Sequence, residues 1–275
     1  MPFHATSDPE GKFLFVTNRA GKSVSVYAID AGTGALSVVG DYPYEEAGFS
    51  FSTAVTPDGS FVYVRYENEI AGYCLNGGTG ALTPLAGSPF AASGSHSDVV
   101  VHPSGRYLFT AGKNTDELHV FAIDEATGAL TEADGSPYAL AAGTYPTGVA
   151  VNPTGEYVFV KGELAPSRIH GYRIDIDTGA LTEAAGSPYT ELPGSSAWHG
   201  LTFSPTLDVL YATILGTDVD VAAFGSTWSR AASPPSTAAP MPGSETTAAT
   251  RSPSAATENG LSRPTTAAIR WAWRA

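Results

Sequence analysis

Residues 153–189 read PTGEYVFVKGELAPSRIHGYRIDIDTGALTEAAGSPY. Three anchors stand in this stretch: Pro153-Thr154-Gly155, Thr178-Gly179-Ala180-Leu181 and Gly186-Ser187-Pro188-Tyr189. Their order recurs toward the N-terminus. Pro-x-Gly returns at Pro103, Pro57 and Pro9, and a degraded copy stands at Pro205, so the period is 46 to 52 residues. Thr-Gly-Ala-Leu returns at Thr127, Thr79 and Thr33. Gly-Ser-Pro-aromatic returns at Gly135 and Gly87, with an imperfect copy at Asp41-Tyr42-Pro43-Tyr44. A fixed period of this size marks repeated supersecondary units that bury their faces against one another.

Within each unit the apolar runs are short and rich in β-branched and aromatic residues, as in Tyr157-Val158-Phe159-Val160 and Phe61-Val62-Tyr63-Val64. Such runs between Gly, Pro and Asp clusters predict strands. The run that ends in Asp alternates: Leu118, Val120 and Ala122 share one face, His119, Phe121 and Ile123 the other. Apolar residues on both faces predict a sheet covered on both sides. Asp30 to Gly34, Asn76 to Gly80, Asp124 to Gly128 and Asp175 to Gly179 read as tight hairpin loops. Asp or Asn opens such a turn by accepting backbone N–H groups ahead of it, and Gly supplies the positive φ at its exit. Each unit then holds four antiparallel strands, which is a propeller blade. The expected class is all-β: a β-propeller with four complete blades plus a partial fifth, over about 3–44, 50–90, 97–138, 147–189 and 199–224. The period and the absent Trp-Asp signature set it apart from WD-type propellers.

The 275 residues carry a net charge of −13, unevenly spread. Residues 1–224 hold 25 acidic and 9 basic side chains, and an acidic body argues against nucleic acid as a partner. No apolar stretch reaches the 18 residues of a membrane span. Cys74 is the only cysteine, excluding an internal disulfide. Its counterparts Ala28, Ala122 and Ala223 are small, so a buried structural thiol is expected. No His/Cys spacing suggests a metal, and Asp175-Ile176-Asp177-Thr178-Gly179 lacks the third acidic position and distal Glu of a calcium loop. Metal and cofactor are both expected to be absent.

The fifth repeat loses register at Gly225, where Asp or Asn is expected. Of the 51 residues from there to Ala275, 34 are Ala, Ser, Thr or Pro, too little apolar surface to order a chain. Residues 225–275 are therefore expected to be a disordered tail or the product of a shifted reading frame. With the ring left incomplete, the edge strand ending at Phe224 is expected to promote self-association.

The unit as a whole, with Phe15-Val16-Thr17-Asn18 and Val24-Ser25-Val26-Tyr27 in its first copy, resembles the YVTN-type repeat of the seven-bladed β-propeller lactonase family over residues 2–224. The resemblance implies a longer propeller, of which this chain would be a truncated piece. Members resembling 6-phosphogluconolactonase hydrolyse a sugar-acid lactone, and other members are repeat arrays without catalysis. The resemblance thus implies a ligand-binding propeller with lactone hydrolysis. The alternatives are a non-catalytic binding or scaffold protein, with a carbohydrate or a protein as its partner, and a truncated product without independent function. A lactonase would be cytoplasmic; a longer precursor with a leader would be exported.

The family's acidic segment after a second strand matches Gly162-Glu163-Leu164, followed by Ser167-Arg168-Ile169. Its His six residues before Pro-x-Gly falls on Ser97, with His96 one position early, and on His199 in the fifth repeat. Its Pro-Arg-His segment falls on Pro146-Thr147-Gly148, so the anion-binding Arg is missing. Loops that enter first strands carry His96, Tyr145, Trp198 and His199, and the loop carrying Glu163 opens on the same face. In that reading His199 or His96 is the base and Glu163 its orienting group, with Tyr145, Trp198 and Arg168 binding the ligand. His119 and His170, inside third strands, are expected to pack between blades, and Lys113 with Asp116 to form a surface ion pair.

Overall fold

Pro-x-Gly and Thr-Gly-Ala-Leu each close a hairpin by chemistry confined to a few residues, and these turns set the strand order. The computed structural model describes residues 1–19, 21–43, 49, 51–95, 98–164, 167–192, 200–207, 209–213 and 221–225. The chain divides into two units, 1–238 and 239–275, and all described residues lie in the first. Blade 1 comprises β1 (Pro2–Ser7), β2 (Phe13–Asn18), β3 (Ser23–Ile29) and β4 (Leu36–Pro43). Blade 2 comprises β5 (Ser52–Val55), β6 (Phe61–Arg65), β7 (Glu69–Leu75), β8 (Leu82–Pro84) and β9 (Phe90–Ala91). Blade 3 runs β10 (Val99–Val101), β11 (Tyr107–Gly112), β12 (Glu117–Ile123), β13 (Leu130–Glu132) and β14 (Tyr138–Ala139). Blade 4 runs β15 (Pro146–Val151), β16 (Tyr157–Gly162), β17 (Ser167–Ile174), β18 (Leu181–Glu183) and β19 (Tyr189–Leu192). The fifth sheet has β20 (Leu201–Phe203), β21 (Val209–Thr213) and β22 (Val221–Gly225).

Every sheet is antiparallel in sequence order, and the first strands succeed one another: β1 lies against β5, β5 against β10, β10 against β15 and β15 against β20. This is a partial β-propeller with, among the described residues, four full blades and three strands of a fifth. In blades 2 to 4 the outer strand is split into two segments that both pair with the third strand. The split sits at Gly-Ser-Pro, whose Ser hydroxyl accepts the third-strand amide freed there: Gly72 donates to Ser88 Oγ at 3.0 Å and Val120 to Ser136 Oγ at 3.0 Å. Blade 1 lacks that motif, and its outer strand β4 runs unbroken.

The Asp at each hairpin works as expected. Asp30 Oδ1 accepts Gly32 N, Thr33 N and Thr33 Oγ1, and Gly34 takes φ +71°. At Gly80 and Gly128 the glycine serves packing as well. A Cβ there would stand 2.6 Å from Phe13 and 2.5 Å from Phe61, the aromatic after Pro-x-Gly in the preceding blade. With Gly179 against Tyr107, the two anchors therefore interlock across the first three seams.

The apolar cores lie at the seams. Phe13, Phe15, Val24 and Val26 of blade 1 meet Val62, Val64, Tyr73 and Leu75 of blade 2, and equivalent clusters join blades 2 to 3, 3 to 4 and 4 to 5. Blades 2 to 4 are covered on both faces. Blade 1 is not: Leu36 and Val38 are exposed, and Tyr27 and Ile29 only half-buried. Cys74 departs from expectation. It is exposed: its slot is the last but one of the strand, and its counterparts Ala28 and Ala122 there are only half-buried. Among the described residues, no helix is long and apolar enough to cross a membrane. Residues 226–275, expected to form a disordered or frame-shifted tail, lie outside the described residues.

Candidate functional site

Two kinds of loop meet on one face: those that enter first strands and those that join second to third strands. At the seam of blades 3 and 4 they are tied together by backbone. Glu163 N donates to both Thr144 O (3.1 Å) and Tyr145 O (3.0 Å), and Lys113 N to Ser95 O (3.0 Å). Asp116 adds the strongest clamp. Its two carboxylate oxygens accept Gly143 N and Tyr145 N, each at 2.7 Å, which fixes the entry to β15 from the neighbouring blade. Both Asp116 and Tyr145 take positive φ (52° and 48°), the backbone cost of that tight crossing.

Glu163 stands at this crossing, and its carboxylate pairs with Lys113 Nζ at 2.5 Å across the seam. Both side chains are largely buried, at 18% and 16% exposure, so the pair is shielded more than a surface bridge. Lys113 thus forms an ion pair with Glu163 that lacks hydrogen-bond geometry, while Asp116 caps amides; the expected Lys113–Asp116 pair does not form. Adjacent to Glu163, Lys161 is fully buried at the end of β16 and donates to Thr213 Oγ1 of the next blade at 3.3 Å. Burial pushes its ammonium down to about 8, against the opposing pull of the charges on Asp98 and Glu163. Thr147, in the slot where the resemblance places Arg, is buried with its Oγ1 unbonded among the described residues.

Of the residues singled out from sequence, Glu163 and Tyr145 therefore come together, Tyr145 with its ring at the surface (39% exposed). Arg168 lies apart on β17, half-buried on the strand face of His170, and joins no carboxylate among the described residues. His96, Trp198 and His199 lie outside the described residues. His119 and His170 are buried between blades as expected. His170 Nε2 meets Thr144 Oγ1 at 3.2 Å, and burial pushes its pKa down.

Two buried cations escaped the sequence reading: Lys161 and Arg65. Both occupy the fifth position of a second strand, where the other blades carry Thr17, Ala111 and Thr213. A charge in a slot otherwise filled by small residues, directly after alternating Tyr/Phe and Val, was the signal. Arg65 is fully buried and donates through Nη1 to Glu69 O at 3.1 Å, and through Nη2 to Ser93 O at 3.1 Å and to Gly94 O. It thereby ties blade 2 to the loop entering blade 3.

The family description "Lactonase, 7-bladed beta-propeller" matches residues 4–93 and 86–198. Among solved structures, a candidate 6-phosphogluconolactonase from Bacteroides fragilis is similar at 18% identity and TM-score 0.65, over 82% of this chain and 65% of that one. A candidate 6-phosphogluconolactonase from Bacteroides uniformis is similar at 13% identity and TM-score 0.65, over 78% and 63%. The periplasmic gluconolactonase of Pseudomonas aeruginosa is similar at 20% identity and TM-score 0.61, over 82% and 71%. At such identities the likeness is one of fold, and the chain spans just under two thirds of the two Bacteroides proteins. No curated protein matches the sequence.

Proposed function

The chain belongs to the seven-bladed β-propeller lactonase family, and from that premise we propose that the seam of blades 3 and 4 binds a sugar lactone and opens its ring ester. The observation that carries this reading is the pairing of a carboxylate and an amine at the loop face, Glu163 and Lys113, with the buried Lys161 ammonium near enough to feel the Glu163 charge. Ester hydrolysis needs a base for water and positive charge for the oxygen that gains an electron pair. Glu163 accepts a proton from the attacking water, or orients the histidine that does so, His199 ahead of His96. Lys113 offers the oxyanion a cation already positioned beside that carboxylate. The bond from the carbonyl carbon to the ring oxygen breaks, and that oxygen leaves as a hydroxyl.

The test is hydrolysis of 6-phosphogluconolactone and of unphosphorylated gluconolactone, with spontaneous opening subtracted. Glu163→Gln is expected to lower kcat about 10²–10⁴ fold. The unphosphorylated ring is expected to be the better substrate, because Thr147 stands where a phosphate-binding Arg would be needed. Rates of the intact chain at background with both lactones overturn the enzyme reading. A second reading, a non-catalytic binding or scaffold propeller, draws on the same pair: a carboxylate ion-paired with Lys113 at 2.5 Å serves to hold the seam. Calorimetric binding of gluconate without turnover of either lactone favours that reading.

A further inference from the structure

Ser93 lies at the seam of blades 2 and 3, on the turn from β9 to β10, and it is exposed. Its Oγ is 3.0 Å from Nε2 of His119 on β12. Nδ1 of the same imidazole is 2.9 Å from Glu132 Oε1 at the end of β13. His119 is buried at 3% exposure and its ring stacks on Phe121, so its plane is fixed. Glu132 is steadied by Ser136 Oγ, which donates to the same oxygen at 3.0 Å. This is the relation of nucleophile, base and orienting acid required for an activated hydroxyl. With Glu132 accepting Nδ1–H, Nε2 presents a lone pair to the serine.

The surroundings fit that use. Gly94, the residue after the serine, takes φ +75° on a turn too tight for a side chain, since a Cβ would stand 2.3 Å from Gly112 Cα. The Gly94 amide is bonded to nothing among the described residues, and the amide after the nucleophile is the usual oxyanion donor. The Arg65 guanidinium donates to the Ser93 and Gly94 carbonyls, which holds the turn in place. Glu117 is the competing element. Ser93 Oγ also lies 2.9 Å from Glu117 Oε2, which takes the hydroxyl proton when His119 does not.

We propose that Ser93, His119 and Glu132 form an acyl-transfer site for small carboxylic esters, independent of the lactone reading. Ser93 Oγ bonds to the ester carbonyl carbon as its proton passes to His119 Nε2. The oxyanion rests on the Gly94 amide. The carbon–oxygen bond to the alcohol breaks, and His119 returns the proton to the departing oxygen. Water repeats the sequence on the acyl-serine, releasing the acid and restoring Ser93. Ser93 and His119 are catalytic residues; Glu132 is a positioning residue.

The experiment treats the full chain with a fluorophosphonate probe, maps the adduct by peptide mass spectrometry, and follows p-nitrophenyl acetate hydrolysis. Ser93 is expected to be labelled about 10²-fold or more faster than the chain's other exposed serines. Ser93→Ala abolishes the adduct and the hydrolysis. Glu132→Gln lowers both about tenfold or more, and Glu132→Asp recovers part of the loss. Glu117→Gln preserves or raises both, because it replaces the competing carboxylate with a neutral amide, a weaker acceptor. Ser93 and Glu132 are exposed positions, so these variants keep the fold, which circular dichroism verifies. Labelling of Ser93 no faster than of other serines overturns the proposal. So does equal loss in Glu117→Gln and Glu132→Gln, which would mark the network as purely structural.

Discussion

Replacing Lys161 with Met should raise stability at neutral pH and flatten its pH dependence. Lys161 is fully buried, and burial lowers its ammonium from the ordinary 10.5 to about 8. That loss of proton affinity corresponds to about 3 kcal/mol held against the folded state wherever the lysine is charged in both states. Below pH 8 this holds in full. Between pH 8 and 10 the folded lysine sheds its proton while the unfolded one keeps it. The unfolded state then binds more protons, so stability rises with pH by up to about 1.4 kcal/mol per unit. Above pH 10 the sign reverses. Burial raises the phenols of Tyr63 and Tyr172, so the unfolded chain loses phenolic protons that the folded one retains. Lys161→Met removes the first effect and leaves the second. A methionine fills the slot of the lysine stem and forfeits the bond to Thr213 Oγ1, long at 3.3 Å, a loss about equal in the folded state at all three pH values used below. Urea unfolding of wild type and variant at pH 7.5, 8.5 and 9.5 measures the difference. The wild type should gain about 2 kcal/mol over that range and the variant almost nothing, the two curves converging. Parallel curves would refute the argument, because they would mean that Lys161 keeps its ordinary proton affinity and reaches solvent in the folded state.

Phe159 is fully buried at the seam of blades 4 and 5, 5.6 Å from the Phe203 ring centroid, so Phe159→Ala should cost about 3–5 kcal/mol in urea unfolding. Val38→Ala on the uncovered face of blade 1, 74% exposed, should stay within about 0.5 kcal/mol by the same measurement. Asp116→Ala removes the acceptor of two amides and should cost about 2 kcal/mol, with Asp116→Asn losing roughly half because one oxygen remains; hydrogen exchange at Gly143 and Tyr145 should rise in step. Cys74 should react with a thiol-specific disulfide reagent in the native chain at a rate within about tenfold of a free thiol, since it is exposed; protection until denaturant is added would refute the exposed assignment.

What the sequence by itself determined was the unit and its repetition. Asp30 accepting Thr33 N, Gly34 at positive φ, and the Ser of Gly-Ser-Pro accepting a third-strand amide are all interactions within one blade. Such turns are encoded by adjacent residues, so four copies in register were enough to read the blades. Glu163 was singled out through the resemblance of Gly162-Glu163-Leu164 to a family segment, and its role stands as a proposal. The partners of that residue were not legible. Lys113 is 50 positions from Glu163, and Lys161 is 52 from Thr213, one repeat away in each case. A repeat register says which slot a residue fills but not whether its side chain points forward or back across a seam. The tertiary structure decided that. Strand parity aims Arg65 and Lys161 forward into the next blade and His119 back toward Ser93, joining groups 26 to 52 positions apart into bonded clusters. The tertiary structure also decided that Cys74, aligned with small residues, would face solvent. Turn chemistry is local, whereas charge pairing and burial depend on which blades are neighbours and how closely they pack.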